Sequence, residues 1–148
     1  MGQRPRSFQL HVDGGSRGNP GPAAAGVILR SADDQTVLFQ GGFFLGRATN
    51  NVAEYHALLE GLGRARRLGA EQLEVRSDSE LLVRQMNGEY RVRSQDLREL
   101  FERAQRLCRS FRRCSVVHIR RQDNADADRL VNQAINLGRN VEDAADEP

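Results

Sequence analysis

Four carboxylates stand where a side chain can do chemistry. Asp13 closes an alternating run in which Phe8, Leu10 and Val12 are apolar and Gln9 and His11 are polar, and a glycine-rich segment, residues 14–22, follows at once. Asp78 closes a second β-type run, Leu73 to Ser77. Glu54 and Asp128 fall near the starts of two helical patterns. If the two runs are parallel neighbours, Asp13 and Asp78 emerge at one sheet edge, the edge where open α/β sheets bind ligands. Helices starting over that edge would bring Glu54 and Asp128 to it. Four acids in one place raise one another's pKa unless cations neutralise them. Hard divalent cations with oxygen ligands, Mg2+ above all, meet that need. Singly, each acid has an ordinary explanation: Asp13 and Asp78 as turn formers, Glu54 and Asp128 as residues favoured at helix starts by the macrodipole. Together they point to a metal site.

Other chemistries are poorly represented. Asp78-Ser79 lacks the Gly-x-Ser-x-Gly frame of a hydrolase nucleophile. His11, His56 and His118 have no metal-ligand spacing, and His11 and His118 fall inside strands. The glycine segment is neither a P-loop nor a dinucleotide fingerprint. It offers backbone N–H groups for phosphate or ribose contact, or simply makes a tight turn. Cys108 and Cys114 match no zinc spacing. Two free thiols are the ordinary reading for an intracellular protein, and a single clip between them is the less common one.

The elements that must position these residues follow from periodicity. Strands are expected over Phe8 to Asp13, Ala23 to Arg30 and Val37 to Phe44, joined by short links into an antiparallel meander. A helix with Val52, Tyr55, Leu58, Leu59 and Leu62 on one face starts at Thr49 or Asn50 and stops at Gly69. A short strand (Leu73 to Ser77), a helix over Ser79 to Met86, and a helix capped by Ser94 come next. A fifth strand spans Ser115 to Arg120. A last helix opens at Asp123 or Asn124 and is closed by Gly138. The expectation is an α/β fold: a mixed five-stranded sheet, three strands antiparallel and two parallel to the first by right-handed crossovers, with helices on both faces.

The chain has 148 residues and suits one domain. It is expected to divide into a catalytic body, residues 1–139, and an acidic, disordered tail, residues 140–148. Met1 to Ser7 is polar and basic, and no apolar run approaches a membrane span. These features argue against a membrane protein or a secreted precursor and for a cytoplasmic monomer. All 22 basic residues are arginine, against 20 acids. Four of the acids lie beyond Arg139, leaving a basic body of net +6 over residues 1–141. Such a body suits a polyanionic partner, although an arginine-rich genome would give the same balance.

Four segments then carry a specific likeness. Asp13-Gly14-Gly15-Ser16-Arg17-Gly18-Asn19-Pro20-Gly21-Pro22, Thr49-Asn50-Asn51-Val52-Ala53-Glu54, Ser77-Asp78-Ser79 and Asn124-x-x-Ala127-Asp128-x-Leu130 resemble, in order and spacing, the type 1 ribonuclease H family over roughly residues 8–137. The resemblance implies hydrolysis of the RNA strand of RNA–DNA hybrids, without sequence preference, to 3′-hydroxyl and 5′-phosphate ends. It implies that Asp13, Glu54, Asp78 and Asp128 hold two Mg2+ ions, with Mn2+ as a substitute. Backbone and side chains at Gly14, Ser16, Gly18, Asn19, Asn50 and Asn51 would read the minor groove and its 2′-hydroxyls. Arg47 and Thr49 would grip a DNA-strand phosphate.

Three departures follow. A loop histidine that assists product release in many members is replaced here by Arg121, with His118 held in the strand before it. The basic handle is reduced to Arg91 and Arg93, without tryptophan. No hybrid-binding domain is expected ahead of the catalytic part. Cleavage of duplex RNA stays open, as do two other readings of these residues: a non-catalytic nucleic-acid-binding module, and a nuclease of the same superfamily acting on DNA junctions or single strands.

Overall fold

The computed structural model describes residues 6–143. The basic start, residues 1–5, and the end of the acidic tail, residues 144–148, lie outside the described residues. The elements run β1 (Ser7–Ser16), β2 (Gly21–Ser31), β3 (Val37–Ala48), α1 (Asn50–Arg67), β4 (Gln72–Ser77), α2 (Glu80–Met86), α3 (Gln95–Arg109), β5 (Arg113–His118), a single 3-10 turn (Arg121–Asn124), α4 (Ala125–Leu137) and β6 (Val141–Asp143). They form one sheet in the order β5-β4-β1-β2-β3-β6. β1 pairs antiparallel with β2, and β2 with β3. β4 runs parallel to both β1 and β5. The expected α/β fold and strand directions therefore hold.

The sixth strand is a correction. Residues 141–143 do not belong to a disordered tail; they pair with the edge of β3, Val141 opposite Gly42 and Asp143 opposite Gln40. Arg64 secures this end. Its guanidinium lies 4.1 Å from the ring centre of Phe39 and bonds Glu60 at 3.1 Å and Glu142 at 3.5 Å. The segment after Asp13 is a second correction. It continues as strand to Ser16, so the loop shrinks to residues 17–20, with Gly18 and Asn19 at positive φ.

β2 explains the layering. Ala23 to Leu29 are all buried because both faces of this central strand are covered. Ala25, Val27 and Leu29 join the main core with Leu58 and Leu62 of α1. Ala24 and Ile28 point the other way, to Val131, Ala134, Ala127 and Leu130 of α4. α1 and α4 thus lie on opposite faces of the sheet. Two glycines set the distance of α4. A Cβ on Gly26 would strike the Ala127 carbonyl, and one on Gly42 the Leu130 carbonyl. The helix that carries Asp128 therefore rests on bare backbone.

Cys108, near the end of α3, and Cys114, in β5, form a disulfide. The ordinary reading of two free thiols is thus replaced by the clip. It closes the turn that brings α3 back into the sheet. No helix among the described residues is long and apolar enough to cross a membrane.

Two measurements check this packing. Gly42→Val should lower stability by about 1–3 kcal/mol or more in urea unfolding, since the added side chain meets backbone rather than a movable side chain. Reduction of the disulfide should cost about 2 kcal/mol, the loop-closure value for so short a loop, read as a lower melting temperature in dithiothreitol.

Candidate active site

Each carboxylate reaches the site through a different element. Val12 lies opposite Ser77 in the parallel β1–β4 pair, so Asp13 and Asp78 follow each other out of the same sheet edge. Thr49 caps α1, its hydroxyl accepting from the Val52 N–H at 3.2 Å, and the chain enters the helix beside Ser16. Gly14 lets α1 settle directly on β1, because a Cβ there would strike the backbone of Ala53 and Glu54. Glu54 is thereby held beside Asp13. It sits beyond the first turn of α1, which contains no acid, so the macrodipole does not account for its presence. Asp128 is in the first turn of α4.

These residues line one cavity of about 320 Å3. Among the residues named from sequence it gathers Asp13, Gly14, Ser16, Asn50, Glu54, Asp78, Arg121 and Asp128. Gly18, Asn19, Arg47, Thr49 and Asn51 do not line it. Asn19 and Asn50 instead brace its rim. The Asn50 N–H donates to Asn19 Oδ1 at 2.9 Å, and Asn50 Oδ1 accepts from the Ser16 N–H at 2.8 Å. Arg47 is exposed on β3. His118 ends β5 and stays off the cavity wall, whereas Arg121, in the turn before α4, is on it.

Three groups around these acids have roles that the sequence reading did not assign them. Ser79 Oγ donates to Glu54 Oε1 at 3.0 Å and accepts from the Leu82 N–H at 3.2 Å, so one hydroxyl both orients Glu54 and caps α2. Asn132, one turn after Asp128, donates to its carboxylate at 3.3 Å and accepts from Arg17 at 3.2 Å. The i, i+4 spacing of Asp128 and Asn132 was the available signal. Asn124 is buried and donates to the Val12 carbonyl at 2.9 Å, tying the approach to α4 to the strand that ends in Asp13. Its Oδ1 is buried and has no partner among the described residues.

The electrostatics are those of an unneutralised acidic cluster. Burial, then the charges of Asp78 and Asp128, push the Asp13 carboxyl well above the usual range, and a hydrogen bond with Asp128 adds to this. Burial raises Glu54 to about 7 against the opposing bond from Ser79. Burial also raises Asp78, while Arg121 and Asn124 pull it down. The donor set suits a hard divalent cation: carboxylate oxygens on several elements around one polar cavity. Among the described residues no three acidic, imidazole or thiol groups stand close enough to form a finished cage. A cation would relieve the mutual repulsion of these acids.

The sign of the pH dependence follows. A carboxyl whose pKa is raised on folding stabilises the fold at low pH, and that stability is lost as pH rises through the folded value. Without divalent metal the protein should therefore lose stability from about pH 4 to pH 8. Asp13→Asn should flatten this slope and leave the variant about 1–3 kcal/mol more stable than wild type at pH 8, read by thermal unfolding in EDTA.

Comparison with known proteins places the chain among relatives. A family model described as reverse transcriptase-like matches residues 11–134. A bifunctional protein of Mycobacterium tuberculosis is 48% identical over 126 residues, which are 85% of this chain and 35% of that protein. The chain thus spans about a third of the length of that relative. Ribonuclease HI of Halobacterium salinarum is 43% identical over 135 residues, 90% of this chain and 67% of that one. The crystal structure of a ribonuclease H1, LC11, in complex with an RNA/DNA hybrid superposes with a TM-score of 0.83 at 40% identity, covering 88% of this chain and 98% of that one. With its strand order, its acidic cavity and these relatives, the chain belongs to the type 1 ribonuclease H family.

Proposed function

We propose that the chain is a divalent-metal-dependent endonuclease that hydrolyses the RNA strand of RNA–DNA hybrids, without sequence preference, leaving 3′-hydroxyl and 5′-phosphate ends. The observation that carries this reading is the meeting of Asp13, Glu54, Asp78 and Asp128, from four separate elements, around one polar cavity. The relative bound to an RNA/DNA hybrid supports the substrate class.

Asp13, Glu54, Asp78 and Asp128 would hold the metal, two Mg2+ ions with substrate or Mn2+ in their place. Held there, the ions would supply activation of a water for attack on the phosphodiester and charge stabilisation at the departing 3′-oxygen. The chain's own groups prepare the site. Ser79 fixes the rotamer of Glu54, and Asn132 that of Asp128. Arg121 places a fixed positive charge on the wall beside Glu54 and Asp78, where negative charge accumulates on the phosphate.

Ribose reading falls to the rim. Asn50 uses its carbonyl oxygen on the Ser16 N–H, which leaves its amide N–H groups for a 2′-hydroxyl. Ser16 is committed to the end of β3, its hydroxyl donating to the Ala48 carbonyl at 2.6 Å. Arg47 and the Thr49 hydroxyl follow one another into α1, a pairing suited to a DNA-strand phosphate. Contacts to phosphate and sugar carry no sequence information, which is why cleavage should be sequence-independent.

Labelled hybrid, duplex RNA, duplex DNA and DNA with one ribonucleotide, each incubated with Mg2+ or EDTA, test the reading. The hybrid should be cut with Mg2+ only, and Asp13→Asn should lower the rate by on the order of 10²–10³-fold or more while hybrid binding persists. Equal cutting of duplex DNA would remove the ribose-reading claim, and cleavage surviving in Asp13→Asn would remove the metal assignment.

A further inference from the structure

α1 and α3 both carry the chain from the carboxylate-bearing edge of the sheet to its opposite end, because each is followed by a strand parallel to β1. Their C-terminal halves enclose a cleft of about 250 Å3 lined by Arg66, Arg103, Arg106 and Leu107. All three arginines are exposed, and none makes an ion pair or hydrogen bond among the described residues. Among the described residues no carboxylate lines this cleft. Glu60, which faces the neighbouring His56, is occupied by Arg64. A second hollow of about 390 Å3 shares Arg106 and adds Arg109, Gln105 and Phe101, with Glu102 as its acid.

We propose that this arginine cleft binds the phosphodiester backbone of a second nucleic-acid segment, separate from the duplex at the catalytic cavity. Three exposed guanidinium groups around one opening concentrate positive charge there, and their planar forks match phosphate oxygens. Arg103, Arg106 and Arg109 succeed one another at three-residue steps, about 4.5 Å along the helix axis, which suits a chain of repeating charges better than an isolated ion. Arg66 lies twelve residues beyond Glu54 on the same helix, about 18 Å further along it, on the flank of the sheet rather than its carboxylate edge. The cleft shares no lining residue with the catalytic cavity and is a separate opening. The protein then holds two segments at once, and the second keeps it near nucleic acid between cleavage events. This site does not depend on the catalytic reading.

The test uses the full chain carrying Asp13→Asn, titrated by calorimetry at low salt with a 10-base-pair RNA–DNA hybrid. Two binding events are expected, the second weaker. Arg66→Ala, Arg103→Ala and Arg106→Ala together should abolish the second event and spare the first, while the Arg→Lys triple variant should retain it at reduced affinity. The logarithmic salt slope of the second event should be about 2–3, as for three phosphate contacts. In the background with Asp13 restored, the alanine triple variant should cleave the short hybrid within twofold of wild type. A single binding event in the Asp13→Asn protein, or two events surviving the alanine changes, would overturn the proposal. So would displacement of the second segment by a polyglutamate peptide at equal charge concentration, which would make the cleft a site for acidic polypeptides.

Discussion

Repulsion among four carboxylates, three of them half-buried and Asp128 exposed, is the constraint around which the rest of the structure is organised. Nothing in a hydrophobic core brings such groups together, so the scaffold must hold them against their own field. It does so by attaching each to a different rigid element and removing the side chains that would keep those elements apart. Gly14 admits α1 to β1, and Gly26 and Gly42 admit α4 to the opposite face. The apolar clusters on the two faces of β2 supply the attraction that the acids oppose. Burial first, with the charges of neighbouring carboxylates adding to it, raises the proton affinities of Asp13, Glu54 and Asp78.

Around the acids lies a sparse set of neutral hydrogen-bond partners. Ser79, Asn124 and Asn132 come from three different parts of the chain, and each links a carboxylate or its strand to a helix start. Among the described residues, Arg121 and Arg17 are the cations on the cavity wall. Full neutralisation by arginine would have made the empty cavity stable and useless for a metal. The observed arrangement compensates only in part and leaves the remainder to an incoming cation.

Much of this was legible in the sequence. The alternation of Leu10 and Val12 with His11, and the 3.6 spacing of Tyr55, Leu58 and Leu62, reflect burial, which periodicity reports well. Asp13 and Asp78 could be placed at one edge because a strand–helix–strand connection forces parallel pairing. The parts that escaped are those set by tertiary contact. β6 is three residues of an acidic segment, and it pairs only because β3 offers an open edge and Arg64 awaits Glu142. Ser16 belongs to β1 because β2 pairs that far. The bond between Cys108 and Cys114 depends on α3 and β5 meeting at their ends, which spacing alone does not reveal. Asn132 was missed because a polar residue on an exposed helix turn has no distinguishing pattern of its own.

The hydroxyl of Ser79 serves two masters, and this has a consequence for how such a protein can change. Adaptation that tunes the cavity by altering residue 79 must at the same time loosen the start of α2, and selection for a sturdier helix start is confined to residues that still reach Glu54. Threonine keeps the hydroxyl, whereas aspartate and asparagine, equally good at beginning a helix, would bring respectively a fifth negative charge or a bulkier amide to the pocket. Drift at this position is therefore narrower than either role alone would impose.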